Sequence, residues 1–303
     1  MTQAVTKVLL LDDDKQDYII VRQMLAKVPE HHFHVDWVNT YDKARAAIKK
    51  NEHDAYLIDY VLGAESGLGL LEEQVHTGFK KPMIVLTAHG NGALDMKTIQ
   101  MGAADYLPKK ELSPTMLGRT IMHAIERNLL MEKLYFQATH DELTGLYNRK
   151  FIMEQLGTMI SSSKRHDFPL TFCLGDLDFF KDINDTHGHF VGDNVLRSFS
   201  DVLTEELRNE DIPGRYGGDE FCILFPHSYP IEAEVSIERI RKNINNIIFQ
   251  SDDGHIFHVT ATFGVALLSA KHETASDLVT AADKALYEAK NNGRNRTVIA
   301  EEG

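Results

Sequence analysis

The sequence predicts a two-part chain: a doubly wound α/β domain on a five-stranded parallel sheet, then a helical linker, then an α+β domain of β-α-β-β-α-β order. Three observations carry this prediction. Five short apolar runs alternate with helical periodicity between residues 6 and 127, and each run ends in a polar residue. Residues 114–138 keep an apolar spacing of three and four with no Gly- or Pro-rich break. From 139 to 300 the order of elements changes, and two strand-like runs meet at Gly217-Gly218.

The chain's 303 residues are enough for two domains with their own cores. A net charge of −13 argues against a broad basic footprint for DNA or an anionic membrane, so neither is expected as a partner. Cys173 and Cys222 lie inside apolar runs and read as core thiols in a reducing compartment. No signal peptide is visible, and no apolar run approaches the roughly 18 residues of a membrane span. The expectation is a cytoplasmic protein.

In the first domain, Lys7 to Leu11 is an apolar strand that ends in Asp12-Asp13-Asp14, and a helical pattern starts around Ile19. The rhythm repeats through Val35–Val38, a helix to Ile48, Ala55–Ile58 ending at Asp59, and a helix near Leu68–Gln74. It continues with Pro82–Leu86 ending at Thr87, a further helix, and Asp105 to Lys109. Ligands of such sheets sit at the carboxyl ends of the strands, where Asp12, Asp13, Asp59, Thr87 and Lys109 all fall. Asp14 and Asp54 read as caps.

This half resembles the receiver domain of response regulators. The resemblance implies that Asp59 accepts a phosphoryl group from a cognate histidine kinase or phosphotransfer protein. It makes Asp12, Asp13 and Asp59 the holders of Mg²⁺, Thr87 and Lys109 the binders of phosphoryl oxygens, and Tyr106 the aromatic switch. Metal and lysine together screen the charge that otherwise keeps an aspartate from attacking phosphorus. The chain departs from the family pattern at Gly63 and Lys110, where proline is common.

Leu117, Ile121, Ala124, Asn128, Met131, Tyr135 and Ala138 form the linker's apolar seam. Two readings stand: a two-stranded coiled-coil stalk with Asn128 setting register, or a helix packed on its own domain. His123 and His140 read as surface or capping histidines.

The second domain opens with Asp141-Glu142-Leu143-Thr144-Gly145, a glycine-hinged turn before an amphipathic helix, and reads as structural. Leu170–Leu174 is a buried strand that runs into Asp176-Leu177-Asp178-Phe179-Phe180-Lys181. Gly192-Asp193 opens a helix with an apolar face through Leu207. The Gly217-Gly218 hairpin projects Asp219 and Glu220, a helix covers about Ile231–Ile247, a strand His258–Val265, and a helix Thr274–Asn291. Acids at a strand end beside acids on a hairpin suit a hard cation that carries substrate phosphates. The element order is that of a ferredoxin-like palm.

Asp176 to Lys181, Asn184, His189, Asp193 and the Gly217-Gly218-Asp219-Glu220-Phe221 turn resemble the GGDEF family of diguanylate cyclases. The resemblance implies condensation of two GTP into cyclic di-GMP with release of two pyrophosphates, with Mg²⁺, or Mn²⁺ in its place, as cofactor. Asp176, the Leu177 carbonyl, Asp219 and Glu220 would hold the metal. Asn184 and Asp193 would read guanine, and His189 would lie against the nucleotide. Phe180, Lys181, Lys290 and Arg294 would surround the phosphates, with Lys181 and Glu220 among the catalytic groups. Asp219, at the metal, is the candidate base for the attacking 3′-hydroxyl. Two GTP sites must face each other, so a homodimer is implied. On their own, Lys290 and Arg294 read as last-turn helix cations, and Asp178, Asp182 and Asp185 as solvated or capping acids.

Arg208 and Asp211, five residues before the Gly-Gly turn, resemble the family's inhibitory site for its own product, with Arg239 a further candidate. The alternative for this pair is a surface ion pair. For the whole chain the rival is a catalytically inactive module that binds GTP or cyclic di-GMP. Every expected active-site position is filled, which favours the cyclase.

Overall fold

The computed structural model describes residues 5–63, 65–76, 80–88, 98–251 and 254–301. The chain divides into two units, Met1–Leu134 and Tyr135–Gly303.

In the first unit, β1 (Val5–Leu11), β2 (His32–Val38), β3 (Ala55–Asp59), β4 (Met83–Thr87) and β5 (Asp105–Pro108) form a parallel sheet in the order β2-β1-β3-β4-β5. One face packs Val8, Leu10, Leu57 and Ile84 against α1 (Lys15–Leu25) and the first part of α4 (Pro114–Thr139). The other packs Leu9, Leu11, Ile58 and Val85 against α2 (Tyr41–Lys50) and α3 (Gly67–His76). Burial on both faces is why these runs are continuously apolar. Asp14 caps α1 through the Gln16 amide at 2.7 Å, as its sequence position indicates. Asp54 instead accepts from the Lys7 amide at 2.8 Å and steadies the start of β1. The helix expected after Thr87 falls partly on 89–97, outside the described residues.

The long helix α4 divides the two readings of its seam between its halves. Leu117, Ile121 and Ala124 are buried in the first unit's core, whereas Leu129, Leu130, Met131, Leu134, Tyr135 and Phe136 are exposed. Asn128 donates to Glu132 one turn on, at 3.3 Å.

The second unit holds α5 (Arg149–His166), β6 (Leu170–Leu177), α6 (Phe180–His187), α7 (His189–Glu206), β7 (Ile212–Gly217) and β8 (Glu220–Pro226). After these come α8 (Pro230–Asn246), β9 (Ala261–Leu267), α9 (Ala275–Asn291) and β10 (Thr297–Ile299). The sheet order is β10-β9-β6-β8-β7, with the two-residue strand Tyr147–Asn148 on the far edge. Helices α7 and α8 cover one face around Phe199, Phe221 and Phe263. Helices α5 and α9 cover the other around Phe172, Cys222 and Leu286. Cys173 and Cys222 are free, buried core thiols, and burial pushes both upward in pKa.

Three boundaries differ from the sequence reading. The helix expected to open at Gly192 begins at His189, because Gly188 at φ 84° breaks the chain after α6. The strand expected from His258 starts at Ala261; upstream, Ile256–Phe257 pairs with Phe249–Gln250 in a separate hairpin. In the Gly-Gly hairpin, Gly217 ends β7 and the turn itself is Gly218, at φ 52°, with Asp219.

Candidate functional site

Parallel register brings the first set of predicted residues together. Leu11 lies opposite Ile58, Asp59 opposite Leu86, and Thr87 opposite Pro108, so Asp12, Asp59, Thr87 and Lys109 gather at one sheet edge. Asp12 and Asp59 are buried and Asp13 is exposed. The ligand oxygens of these three acids lie within 4.8 Å of one another, a carboxylate set suited to a hard divalent cation. Lys109 Nζ reaches Asp12 Oδ2 at 2.8 Å, Asp59 Oδ2 at 2.8 Å and Asp17 Oδ2 at 2.6 Å. Burial pushes the Asp12 carboxyl up to about 6 although Lys109 pulls the other way, and burial also raises Asp59. Burial disfavours the charged form of Lys109, but its three carboxylate partners outweigh this and raise its pKa. Tyr106 is half-buried on β5 and packs against the α2–α3 side core.

Gly63, one of the departures from the receiver pattern, has a local use. Its amide donates to Asp13 Oδ2 at 3.0 Å, a bond that proline, which lacks an N–H, cannot make.

The second cluster forms where β6 ends. Antiparallel pairing sets Glu220 opposite Asp176 on one side and Thr262 opposite Asp176 on the other. The Leu177 amide donates to the Asp219 carbonyl at 3.3 Å, which fastens the hairpin turn to the strand end. Asp176 is buried, and burial pushes its carboxyl up to about 6 against the pull of Lys290, whose Nζ lies 2.8 Å from Oδ2. Lys290 reaches it because α9 lies close on β9: a Cβ on Gly264 would overlap the Ala282 carbonyl and the Leu286 amide. An all-oxygen donor set around a buried carboxylate in need of positive charge fits Mg²⁺.

Asn184 and Asp193, the pair expected at the guanine edge, lie on either side of the break between α6 and α7. Gly192 is buried, and a Cβ there would overlap the Asn184 amide oxygen, so only glycine lets the Asn184 side chain sit against the start of α7. His189 is exposed on the first turn of α7, and Lys181 is exposed on α6. Phe180 packs partly into the core, while the neighbouring Phe179 is exposed at φ 57° with the Arg294 guanidinium 4.8 Å from its ring centroid.

Two residues set down as ordinary have defined jobs. Asp178 is not a solvated or capping acid; it is buried, accepting from Thr262 Oγ1 at 2.6 Å, Thr260 Oγ1 at 2.7 Å and the Asn295 amide at 3.1 Å. His140 is half-buried among rings: it stacks on Phe136 at 4.3 Å and meets Tyr147 at 4.5 Å, and Tyr147 in turn stacks on Phe151. Asp182 and Asp185 are exposed, as expected.

Sequence reasoning passed over Arg215. Its NH1 bonds both oxygens of Asp141, at 3.0 and 3.2 Å, while Nε and NH2 hold the Gly218 carbonyl at 3.0 and 2.7 Å. The guanidinium thus braces the acidic turn against the domain's opening turn, where Asp141 also accepts from the Thr144 amide and hydroxyl. An arginine two residues ahead of the Gly217-Gly218 pair was the available signal.

Before the start of β7, at the opposite end of that strand from the turn, the Arg208 side chain is exposed, with Glu210 at 3.9 Å. Asp211 is buried, raised in pKa by that burial, and accepts from the Arg208 amide at 3.0 Å. Arg239 is anchored to Glu206 at 2.8 Å.

A family model described as diguanylate cyclase, GGDEF domain, matches residues 138–296, and one described as response regulator receiver domain matches residues 8–120. The chain belongs to the GGDEF diguanylate cyclase family and carries a receiver domain ahead of that domain. Among similar proteins, the response regulator PleD of Caulobacter vibrioides is 32% identical over 225 residues, 72% of this chain and 49% of that protein. Diguanylate cyclase A of Treponema denticola is 38% identical over 183 residues, 58% of this chain and 47% of that protein. The chain spans about half the length of these curated relatives. Among solved structures, the GGDEF domain of DgcB from Caulobacter crescentus in complex with c-di-GMP aligns with a TM-score of 0.53 at 30% identity. It covers 55% of this chain and 97% of that one. Diguanylate cyclase SiaD in complex with its activator SiaC, from Pseudomonas aeruginosa, aligns with a TM-score of 0.52 at 34% identity over 61% of this chain and 72% of that one. Among the described residues, no helix is long and apolar enough to cross a membrane.

Proposed function

We propose that this chain is a phosphorylation-controlled diguanylate cyclase that makes cyclic di-GMP from two GTP as a cytoplasmic homodimer. The observation that carries the reading is the pairing of buried Asp176 with the Asp219–Glu220 hairpin, braced by Arg215 and faced by Lys290. Asp176, the Leu177 carbonyl, Asp219 and Glu220 would hold Mg²⁺, which when bound neutralises phosphate charge and acidifies the 3′-hydroxyl. Asp219 then takes that proton, and Lys181 stabilises charge that builds on the phosphates. Asn184 and Asp193 orient guanine by accepting and donating along its edge, with His189 against the nucleotide. Lys290 and Arg294 hold the outer phosphates, and Phe180 brackets the phosphates together with Lys181. Because each 3′-hydroxyl attacks the other nucleotide's α-phosphate, two copies of the domain must meet face to face.

In the receiver, Asp59 is the phosphoacceptor, served by a histidine kinase or phosphotransfer protein. Asp12 and Asp13 hold Mg²⁺ with it, and Thr87, Lys109 and Tyr106 relay the change. Exposed Arg208, with Asp211 shaping its loop and Arg239 as a further contact, binds the product and limits its accumulation.

Incubation of the protein with GTP and Mg²⁺, with and without beryllofluoride as phosphoryl mimic, tests the reading by product analysis. The expected result is cyclic di-GMP that rises with the mimic and is lost in Asp219→Ala. GTP binding and dimer formation without product in any condition would overturn it in favour of a binding module.

A further inference from the structure

Lys109 has one more carboxylate than phosphoryl chemistry asks for. Its three N–H groups face Asp12 and Asp59, both among the metal-binding acids, and Asp17, which is not. Asp17 stands on the first turn of α1, where a carboxylate is favoured by the helix N-terminus. Yet the capping job belongs to Asp14, which accepts from Gln16, and Asp17 turns outward to a lysine 92 residues away in sequence. Its 2.6 Å contact is the shortest of the three, and its side chain keeps about a third of its exposure.

Resting on the proposed role of Asp59 as phosphoacceptor, we propose that Asp17 is a positioning residue that anchors Lys109 over the phosphoryl group. A divalent cation would draw on the oxygens of Asp12 and Asp59, and transfer of a phosphoryl group from the donor's phosphohistidine to Asp59 Oδ2 forms the O–P bond as the donor's P–N bond breaks, which removes the charge of the oxygen that Lys109 had faced. Two of the lysine's three bonds are therefore weakened at the moment it is needed. Asp17 lies outside that competition. It can keep one N–H while the second stays on Asp12 and the third turns to a phosphoryl oxygen, so the donor count closes without moving the side chain.

Trp37 offers the readout. It is the chain's only tryptophan, its indole N–H donates to the Asp12 carbonyl at 2.8 Å, and its emission therefore reports on the metal site. The full-length protein is titrated first with Mg²⁺ and then, at saturating Mg²⁺, with beryllofluoride. Asp17→Asn is expected to leave the Mg²⁺ midpoint within about twofold and to weaken beryllofluoride binding about tenfold, the scale of one charge-assisted hydrogen bond. Asp17→Glu is expected to restore most of the loss. Unchanged or tighter beryllofluoride binding in Asp17→Asn, with wild type responding normally, overturns the anchor. A wild-type protein that answers Mg²⁺ but not beryllofluoride overturns instead the phosphoacceptor reading beneath it.

Discussion

Asp12 and Asp176 each stand where a buried strand ends, each carries a carboxyl pushed up to about 6 by burial, and each is met by a lysine Nζ at 2.8 Å. Their surroundings differ. Asp12 belongs to a compact trio that parallel register assembles, because the neighbouring strands β1 and β3 end side by side. Among the described residues, that trio is the one group of three such ligands within 4.8 Å. Asp176 depends on a hairpin that must be aimed: Asp219 and Glu220 arrive on a turn fixed by the Leu177 amide and by Arg215. A receiver-type site is thus a property of the sheet, whereas the cyclase-type site is a property of a braced turn.

The largest effect should come from the acid itself. Asp176→Asn is expected to lower cyclic di-GMP formation by about a thousandfold, the scale of losing a metal-centred electrostatic group. The same change should stabilise the metal-free protein. Because the folded-state pKa is raised, the native protein binds more protons than the unfolded chain between about pH 4 and 6, so stability falls as pH rises through that window. Thermal melts should show Asp176→Asn gaining about 1–3 kcal/mol at pH 7.5 and nothing at pH 4. A variant that loses stability at pH 7.5 would break the comparison with Asp12.

Next in size is the brace. Arg215→Ala is expected to reduce kcat about 10- to 100-fold with near-native melting, as misplacing a catalytic turn does. Arg215→Lys should recover little, since one ammonium cannot hold Asp141 and the Gly218 carbonyl together. Equal activity in Arg215→Ala would mean that the Leu177 bond suffices. The smallest effect belongs to the acid beside the trio: Asp14→Ala should cost about 1 kcal/mol of stability through the lost cap and leave the Mg²⁺ midpoint unmoved in Trp37 fluorescence.

Much of this was legible in sequence. Continuous apolar runs announced a sheet covered on both sides, and strand-end acids announced the trio, because parallel topology converts sequence order into proximity. Asp178 was read wrongly since its three partners, Thr260, Thr262 and Asn295, lie more than eighty residues away in sequence and carry no local signature. The ring partners of His140 were hidden for a related reason: they are contributed by the helix end on one side and the next strand on the other. The linker split because its heptad spacing continues past the point where the first core stops receiving side chains. Arg215 stood in plain view, but its target is a carbonyl, and backbone acceptors leave no mark on composition.

The buried side chain of Asp178, two residues from Asp176, ties two distant segments together. It holds Thr260 and Thr262 of one and the Asn295 amide of the other, next to Arg294. It also fixes the residue before Phe179, whose left-handed backbone is costly for a bulky side chain. Neither segment can loosen without breaking hydrogen bonds to this one buried side chain. Local opening of the two is therefore expected as a single cooperative event with one threshold.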